Sequence, residues 1–328
     1  MNSFGFVGPF AEELAAHITL KQAVGYRYHT ETGKLRAFDS FTAEHYSDAV
    51  GLTKEIVLAW CAKTGWETEA NRGSRASVLR QFGLYLHQTG KEVFILPKGF
   101  YPTGEQYVPY IYTDDELHRF FEQTDCCHAV SEYPYRHLVM PVFFRMIYSC
   151  GLRCSEARLL KCGNVDLENG ILQILNSKND RSRVVPMPAS LTERCRIYAK
   201  QVHIRMDDNA WFFPGMYGRE ITPTNAYHNF RRFLYQAGIS HGGRGKGPRI
   251  HDFRHTFACR CLKRWSVEGR DLNAWLPVLK AYMGHDSFAD TAYYLRLTAD
   301  VYPEIHNKLN AAFPAVIPEV EVRDEKAD

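Results

Sequence analysis

Prolines at positions 97, 102 and 109, in FILPKGFYPTGEQYVPYIY (94–112), constrain this chain more than any other feature. A proline inside a helix removes a main-chain donor, and its ring collides with the preceding turn. Their spacing therefore forbids a continuous helix across the segment and favours an extended strap. Helical patterns lie on both sides, so the strap is the expected domain boundary. The reading is a small helical domain over 1–93, a linker over 94–112, a larger domain over 113–315 and a flexible tail over 316–328. A chain of 328 residues is long enough for two such domains.

Before the strap, Leu35, Phe38 and Phe41 recur at helical spacing, as do Ile56 and Trp60, with Thr53 placed to cap the latter helix. SRASVLRQFGLYLHQTG puts Val78, Leu79, Phe82 and Leu86 on one side, with Arg75 and Arg80 elsewhere, and four helices fit the whole segment. After the strap, Thr113 and Glu116 form a T-x-x-E capping box that opens the next helix. An apolar helix around PVFFRMIYSC is broken by Gly151 and resumes in SEARLLKC. VDLENGILQILNSKNDRSRVVPMP reads as short strands, with turns at Glu168–Asn169–Gly170 and at Asn179–Asp180. The expected fold is mainly α with a small three-stranded antiparallel β-sheet. No internal repeat is visible.

The Met1 end lacks a basic region followed by an apolar core, and the most membrane-like run, LVMPVFFRMIY, contains Arg145 and is too short to span a bilayer. A cytoplasmic protein without membrane partners is the expectation. Nine cysteines, an odd number without regular spacing, favour reduced thiols. Cys126, Cys127 and His128, followed by Cys150, Cys154 and Cys162, suggest a metal site, but no paired C-x-x-C knuckle accompanies them, so no structural metal is expected. The net charge of +3 is uninformative, yet Arg244, Lys246, Arg249, Arg254, Arg260, Lys263 and Arg264 crowd one stretch with Asp252 as its only acid.

Four fragments present groups suited to a phosphodiester. In GLRCSEARLL, Arg153 follows a glycine turn at a helix start, where main-chain N–H groups favour an anion and a guanidinium can donate two parallel bonds; Glu156 could orient it. In ILNSKNDRSRVVPMP, Lys178 falls at the tip of a hairpin, able to protonate a leaving alkoxide. In HDFRHTFACR, His251 and Arg254 share a helix face while Phe253 and Phe257 share another; His255 reads as a satisfied, partly buried histidine. In YMGHDSFADTAYYLRLT, His285 follows Gly284 at an expected helix start, and Tyr294, nine residues on, is a candidate nucleophile. Neighbouring Tyr293 points about 100° away on a helix. Taken singly, Arg153 reads more readily as a surface arginine and Lys178 as an ordinary turn lysine, and the two tyrosines also read as packed aromatics.

Together the fragments resemble the tyrosine recombinase, or phage integrase, family. G-L-R-C-S-E supplies Arg153, S-K-N-D-R-S-R-V-V-P supplies Lys178, H-D-F-R supplies His251 and Arg254, M-G-H supplies His285, and counting forward gives Tyr294 rather than Tyr293. The resemblance covers both domains and is specific in the larger one. The segment KRWSVEGRDLNAWLPVLKAYMGH is several residues longer than in compact bacterial members, and is expected as a surface loop or longer helix. With the YLRLTADVYPEI ending, it looks more like transposon or integrative-element integrases than chromosome-dimer resolvases.

The resemblance implies that Arg153 and Arg254 clamp the scissile phosphate, that Tyr294 attacks to form a 3′-phosphotyrosyl bond, and that His251 takes the phenol proton. Lys178 would protonate the leaving 5′-oxygen, and His285 would bond the phosphate. Fixed positive charge does this work without a cofactor or Mg²⁺. It further implies double-stranded DNA recombination sites as partner, a clamp of two domains on DNA, a homotetramer on two sites, and accessory DNA-bending proteins. LTADVYPEIHNKLNAAF, with Ile305, Leu309 and Phe313, would be a helix passed to a neighbouring subunit or folded onto its own. Arg72, Arg75, Arg80, Arg244 and Lys246 are candidate phosphate contacts. The alternatives are a type IB topoisomerase-like nicking and resealing enzyme, or a catalytically silent DNA-binding accessory protein of the same fold.

Overall fold

The computed structural model describes residues 4–65, 67–101, 107–175, 182–203, 207–243, 247–285 and 287–302. The chain divides into two compact units, Met1–Val108 and Pro109–Asp328.

The first unit is built from α1 (Ala11–Ala23), α2 (His29–His45), α3 (Lys54–Trp60) and α4 (Glu69–Gln88). Thr53 starts α3 by accepting the Ile56 N–H at 3.3 Å, and Thr68 starts α4 by accepting that of Asn71 at 3.3 Å. Leu35, Phe38, Ile56, Val78, Leu79, Phe82 and Leu86 are buried, and the Phe82 ring meets Phe10, His17 and Phe38. No helix or strand occurs among the described residues of 94–112.

In the second unit the capping box at Thr113 opens α5 (Asp114–Asp125): Thr113 Oγ1 accepts the Glu116 N–H at 3.2 Å, and Glu116 Oε2 accepts the Thr113 N–H at 2.9 Å. α6 (Arg136–Ser149) runs through the middle of the core, with Val139, Met140, Phe143, Phe144, Met146 and Ile147 fully enclosed. That explains why its middle is apolar apart from Arg145, which pairs with Asp125 at 2.6 Å. α7 (Cys154–Arg158) is a single short helix, much less than SEARLLKC suggested, and a one-turn 3₁₀ helix follows at Cys162–Asn164.

The sheet is antiparallel in the order β1 (Val165–Asp166), β2 (Ile171–Ile174), β3 (Arg183–Pro186). Leu172 pairs with Val185 and Ile174 with Arg183. Its first turn is the expected one: Asp166 Oδ1 accepts the N–H groups of Glu168 and Asn169, both at 2.9 Å, and Gly170 takes φ +68°. The turn expected at Asn179 and Asp180 lies outside the described residues. α8 (Ala189–Val202), α9 (Pro223–Gln236), α10 (Asp252–Val267), α11 (Leu272–Met283) and α12 (Phe288–Val301) complete the unit. Phe253 of α10 stacks among Tyr112, Phe120, Phe144 and Phe230.

The mainly helical fold with a small antiparallel sheet is as expected, but the long segment before His285 is not a surface appendage. It is the end of α10, a turn at Gly269 and all of α11, and it buries Trp265, Leu272, Leu276 and Leu279 in a core shared with α12. Ile305, Leu309 and Phe313 lie outside the described residues. Among the described residues, no helix is long and apolar enough to cross a membrane.

Candidate active site

Two helix ends frame the site, and both stop in the same way. At the end of α6, Gly151 enters the left-handed region at φ +57°, the Leu152 N–H returns to the Ile147 carbonyl at 3.0 Å, and the Gly151 N–H returns to Tyr148 at 3.3 Å. At the end of α11, Gly284 does the same at φ +65°, with the His285 N–H on Lys280 and the Gly284 N–H on Ala281, each at 3.1 Å. These are Schellman stops, and a helix C-terminus carries partial negative charge. Gly284 thus closes the helix before it, rather than opening the one that carries Tyr294, as the sequence suggested.

Arginines fill the space between the two ends. Arg254, in the first turn of α10 and 1% exposed, donates from Nη1 to the Gly151 carbonyl at 2.5 Å and from Nη2 to that of Met283 at 2.6 Å. Burial first, and Arg153 nearby, pull its pKa to about 10, while Tyr294 opposes them; it remains a cation at neutral pH. Arg153 caps α7 just beyond the Gly151 turn. It donates from Nη1 to Glu156 Oε1 at 2.8 Å and from Nη2 to the Gly284 carbonyl at 3.1 Å. The orienting role expected of Glu156 is realised, since its other oxygen accepts the Arg153 main-chain N–H at 2.9 Å.

Tyr294 of α12 packs into this cluster and is 3% exposed, while its neighbour Tyr293 is only half-buried. Its ring lies parallel to His285 at 5.6 Å between centroids and tilted against His255 at 5.5 Å. His285 is fixed by a 2.9 Å contact between Nδ1 and Thr291 Oγ1. Burial pushes the Tyr294 phenol up to about 12, against the pull of Arg254, which hydrogen-bonds it. His251 stands at the N-terminus of α10 with its ring 4.8 Å from that of His255. Although the residue is open to solvent on one side, loss of water around the ring and then the charges of Arg254 and Arg153 lower His251 to about 4. It is neutral at physiological pH and therefore able to accept a proton.

Five of the six sequence candidates, Arg153, His251, Arg254, His285 and Tyr294, thus come together around the two helix ends, while Lys178 lies outside the described residues. One further residue was missed, and one was read differently. His255 is not satisfied: its Nδ1 is buried without a hydrogen-bond partner among the described residues, and burial lowers it to about 3. Arg183, the first residue of β3, donates from both Nη atoms to Glu156 at 2.9 Å. Strand alternation carried its signal, because Arg183 and buried Val185 share a face.

The proposed phosphate contacts divide. Arg75 donates to both oxygens of Glu67, to the carbonyl of Trp60 and to that of Ala62, and it stacks on the Trp60 ring, so its charge is committed internally. Arg72 donates to the Cys61 carbonyl and covers Tyr101 at 4.0 Å. The Nε of Arg80 is buried without a partner among the described residues. Arg244 and Lys246 lie outside the described residues. Nor does the basic stretch form one face: Arg254 is inside, Arg260 pairs with Asp114 at 2.6 Å, and Arg264 pairs with Glu268 at 3.5 Å. The described cysteines are free thiols, and no three described histidine, cysteine or carboxylate residues converge as a metal site.

The phage integrase family profile matches residues 113–300. Two relatives from Sinorhizobium fredii, named integrase/recombinase y4rE and y4rB, are 31% and 27% identical, the first over 88% of this chain and 92% of its own, the second over 92% and 96%. Among solved structures, the XerH site-specific recombinase bound to a palindromic difH substrate, in its post-cleavage complex, aligns with a TM-score of 0.62 at 18% identity, over 94% of this chain and 90% of that one. At that identity the likeness is one of fold.

Proposed function

The chain belongs to the phage integrase family, and from that premise we propose that it is a site-specific DNA recombinase that cuts and rejoins strands through a 3′-phosphotyrosyl intermediate. The observation that carries the proposal is the convergence of two guanidiniums, a neutral imidazole and one buried phenol from three separate segments. In this reading Arg153 and Arg254 hold the non-bridging oxygens of one phosphate, so that charge developing at phosphorus meets cations already in place. The Tyr294 oxygen attacks phosphorus, its proton passes to His251, and the P–O5′ bond breaks with Lys178 returning a proton to the leaving oxygen. A phenol held near 12 needs a base, and the phosphate that enters beside Arg153 and Arg254 brings the negative charge that raises His251 from about 4 towards that role. His285, steadied by Thr291, supports the phenol ring and donates to the phosphate. Attack by a 5′-hydroxyl from a second duplex reverses these steps without ATP, because the number of phosphodiesters is conserved.

The substrate is double-stranded DNA in the cytoplasm, and the similarity to named integrases favours integration, excision or transposition of a mobile element by a homotetramer on two sites, with DNA-bending proteins as accessories. The test uses duplexes selected for binding from a randomised pool and then nicked near their centre, so that a cleaved strand diffuses away and traps the intermediate. A covalent protein–DNA adduct is expected for the native chain and for Tyr293→Phe, and none for Tyr294→Phe. Selective binding with no adduct would instead support an accessory DNA-binding protein, and relaxation of supercoiled plasmid without sequence preference a topoisomerase-like enzyme.

A further inference from the structure

Arg183 has no part in the strand-cutting steps above, yet all three nitrogens of its guanidinium donate to groups beside them. Its side chain is 9% exposed, and its two Nη atoms each meet one oxygen of Glu156 at 2.9 Å, a fork-to-fork pair. Its Nε donates to the Tyr282 carbonyl at 2.7 Å, in the last turn of α11. Its Cδ lies against Gly284, 3.0 Å from where a side chain there would begin. One residue thus joins the root of the β2–β3 arm, the carboxylate that orients Arg153, and the helix end whose carbonyls hold both Arg153 and Arg254.

The charges matter as much as the bracing. Glu156 is 4% exposed at its side chain and touches Arg153 at 2.8 Å. With no other cation beside it, this carboxylate would neutralise Arg153, and an incoming phosphate would meet an ion pair. A second guanidinium on the same carboxylate leaves the cluster of Arg153, Glu156 and Arg183 with one net positive charge. We propose that Arg183 is a positioning residue that neutralises Glu156, so that Arg153 stays oriented by the carboxylate while keeping its positive charge for the scissile phosphate. The inference rests on the strand-cutting reading above.

The experiment is single-turnover formation of the covalent adduct on the selected, nicked duplex, with duplex affinity measured alongside. Arg183→Met should form adduct roughly 100-fold more slowly while binding the duplex within about threefold of the native chain. Arg183→Lys, which keeps one charge, should stay within about tenfold of the native rate. In the Arg183→Met background, Glu156→Gln removes the stranded negative charge and should recover at least about tenfold of the lost rate. Arg183→Gln serves for the same comparison should the methionine variant not fold. A double variant no faster than Arg183→Met, or a lysine variant as slow as methionine, overturns charge compensation and leaves bracing alone. If the native chain forms no adduct, or Tyr294→Phe still forms it, the strand-cutting reading itself has failed.

Discussion

A guanidinium has five N–H donors, and Arg254 uses two of them on the carbonyls of Gly151 and Met283 at the ends of two different helices. Lysine in that place keeps the charge but cannot bridge both carbonyls and face a phosphate as well. Arg254→Lys should therefore slow adduct formation by roughly 10²- to 10³-fold, measured at saturating duplex. Another buried titratable group, His17, is fully enclosed, meets the Tyr28 hydroxyl at 3.1 Å and the rings of Phe82 and Tyr85, and is lowered to about 4, by burial first and then by Lys21. The folded pKa lies below the unfolded value of 6.5, so between the two the unfolded chain binds the proton more readily. Stability from a neutral His17 is complete above pH 6.5 and is lost as pH falls towards 4, by about 3 kcal/mol in all. Urea unfolding of the first unit should weaken over that window, and His17→Phe should flatten the slope; an unchanged slope would assign the acid sensitivity elsewhere.

Helix ends, more than helix faces, build the site. Gly151 is held at φ +57°, and a Cβ there would stand 2.6 Å from Phe257 Cδ1. Gly151→Ala should cost about 1–2 kcal/mol for the left-handed backbone and about 1–3 kcal/mol for the collision. A double-mutant cycle with Phe257→Leu in urea denaturation separates the two, and a coupling energy near zero would clear the ring of any part in it. Turn chemistry of this kind was legible in the sequence, because G-L-R and M-G-H each join a glycine stop to a site residue within three positions. What was not legible is which stop serves which helix: Gly284 looked like a start because the groups it answers, on Lys280 and Ala281, are visible only once α11 is known to be helical. Arg183 stayed hidden for a related reason. Its alternation with Val185 is local, but its partners Glu156 and Tyr282 are far away in sequence and meet it only through sheet register and helix packing.

At the scale of the whole molecule, apolar burial explains why the helical content could be read so early. Leu35, Phe38, Val78, Leu79 and Phe82 fall at helical spacing and are buried as that spacing requires, whereas the segment holding Trp265 read as a surface feature from its length, because the Trp275 ring 5.1 Å away and the cluster shared with α12 come together only in the fold. The buried apolar cluster of the first unit is made of residues 6–96, and those of the second draw on residues 112–253 and 258–297. Clusters that share no buried residue should lose structure separately. Phe82, fully buried against Phe10 and Phe38, is the sharpest probe: Phe82→Ala removes a ring from the middle of the first cluster and should cost about 3–5 kcal/mol there. Hydrogen exchange resolved by peptide should then show amides of α2 and α4 losing protection by about two to four powers of ten, at about 1.4 kcal/mol per tenfold, with α6 and α10 unchanged. Equal loss in α6 would mean that the two clusters unfold as one cooperative body, and the site around Tyr294 would then depend on packing in a unit that contributes none of its side chains.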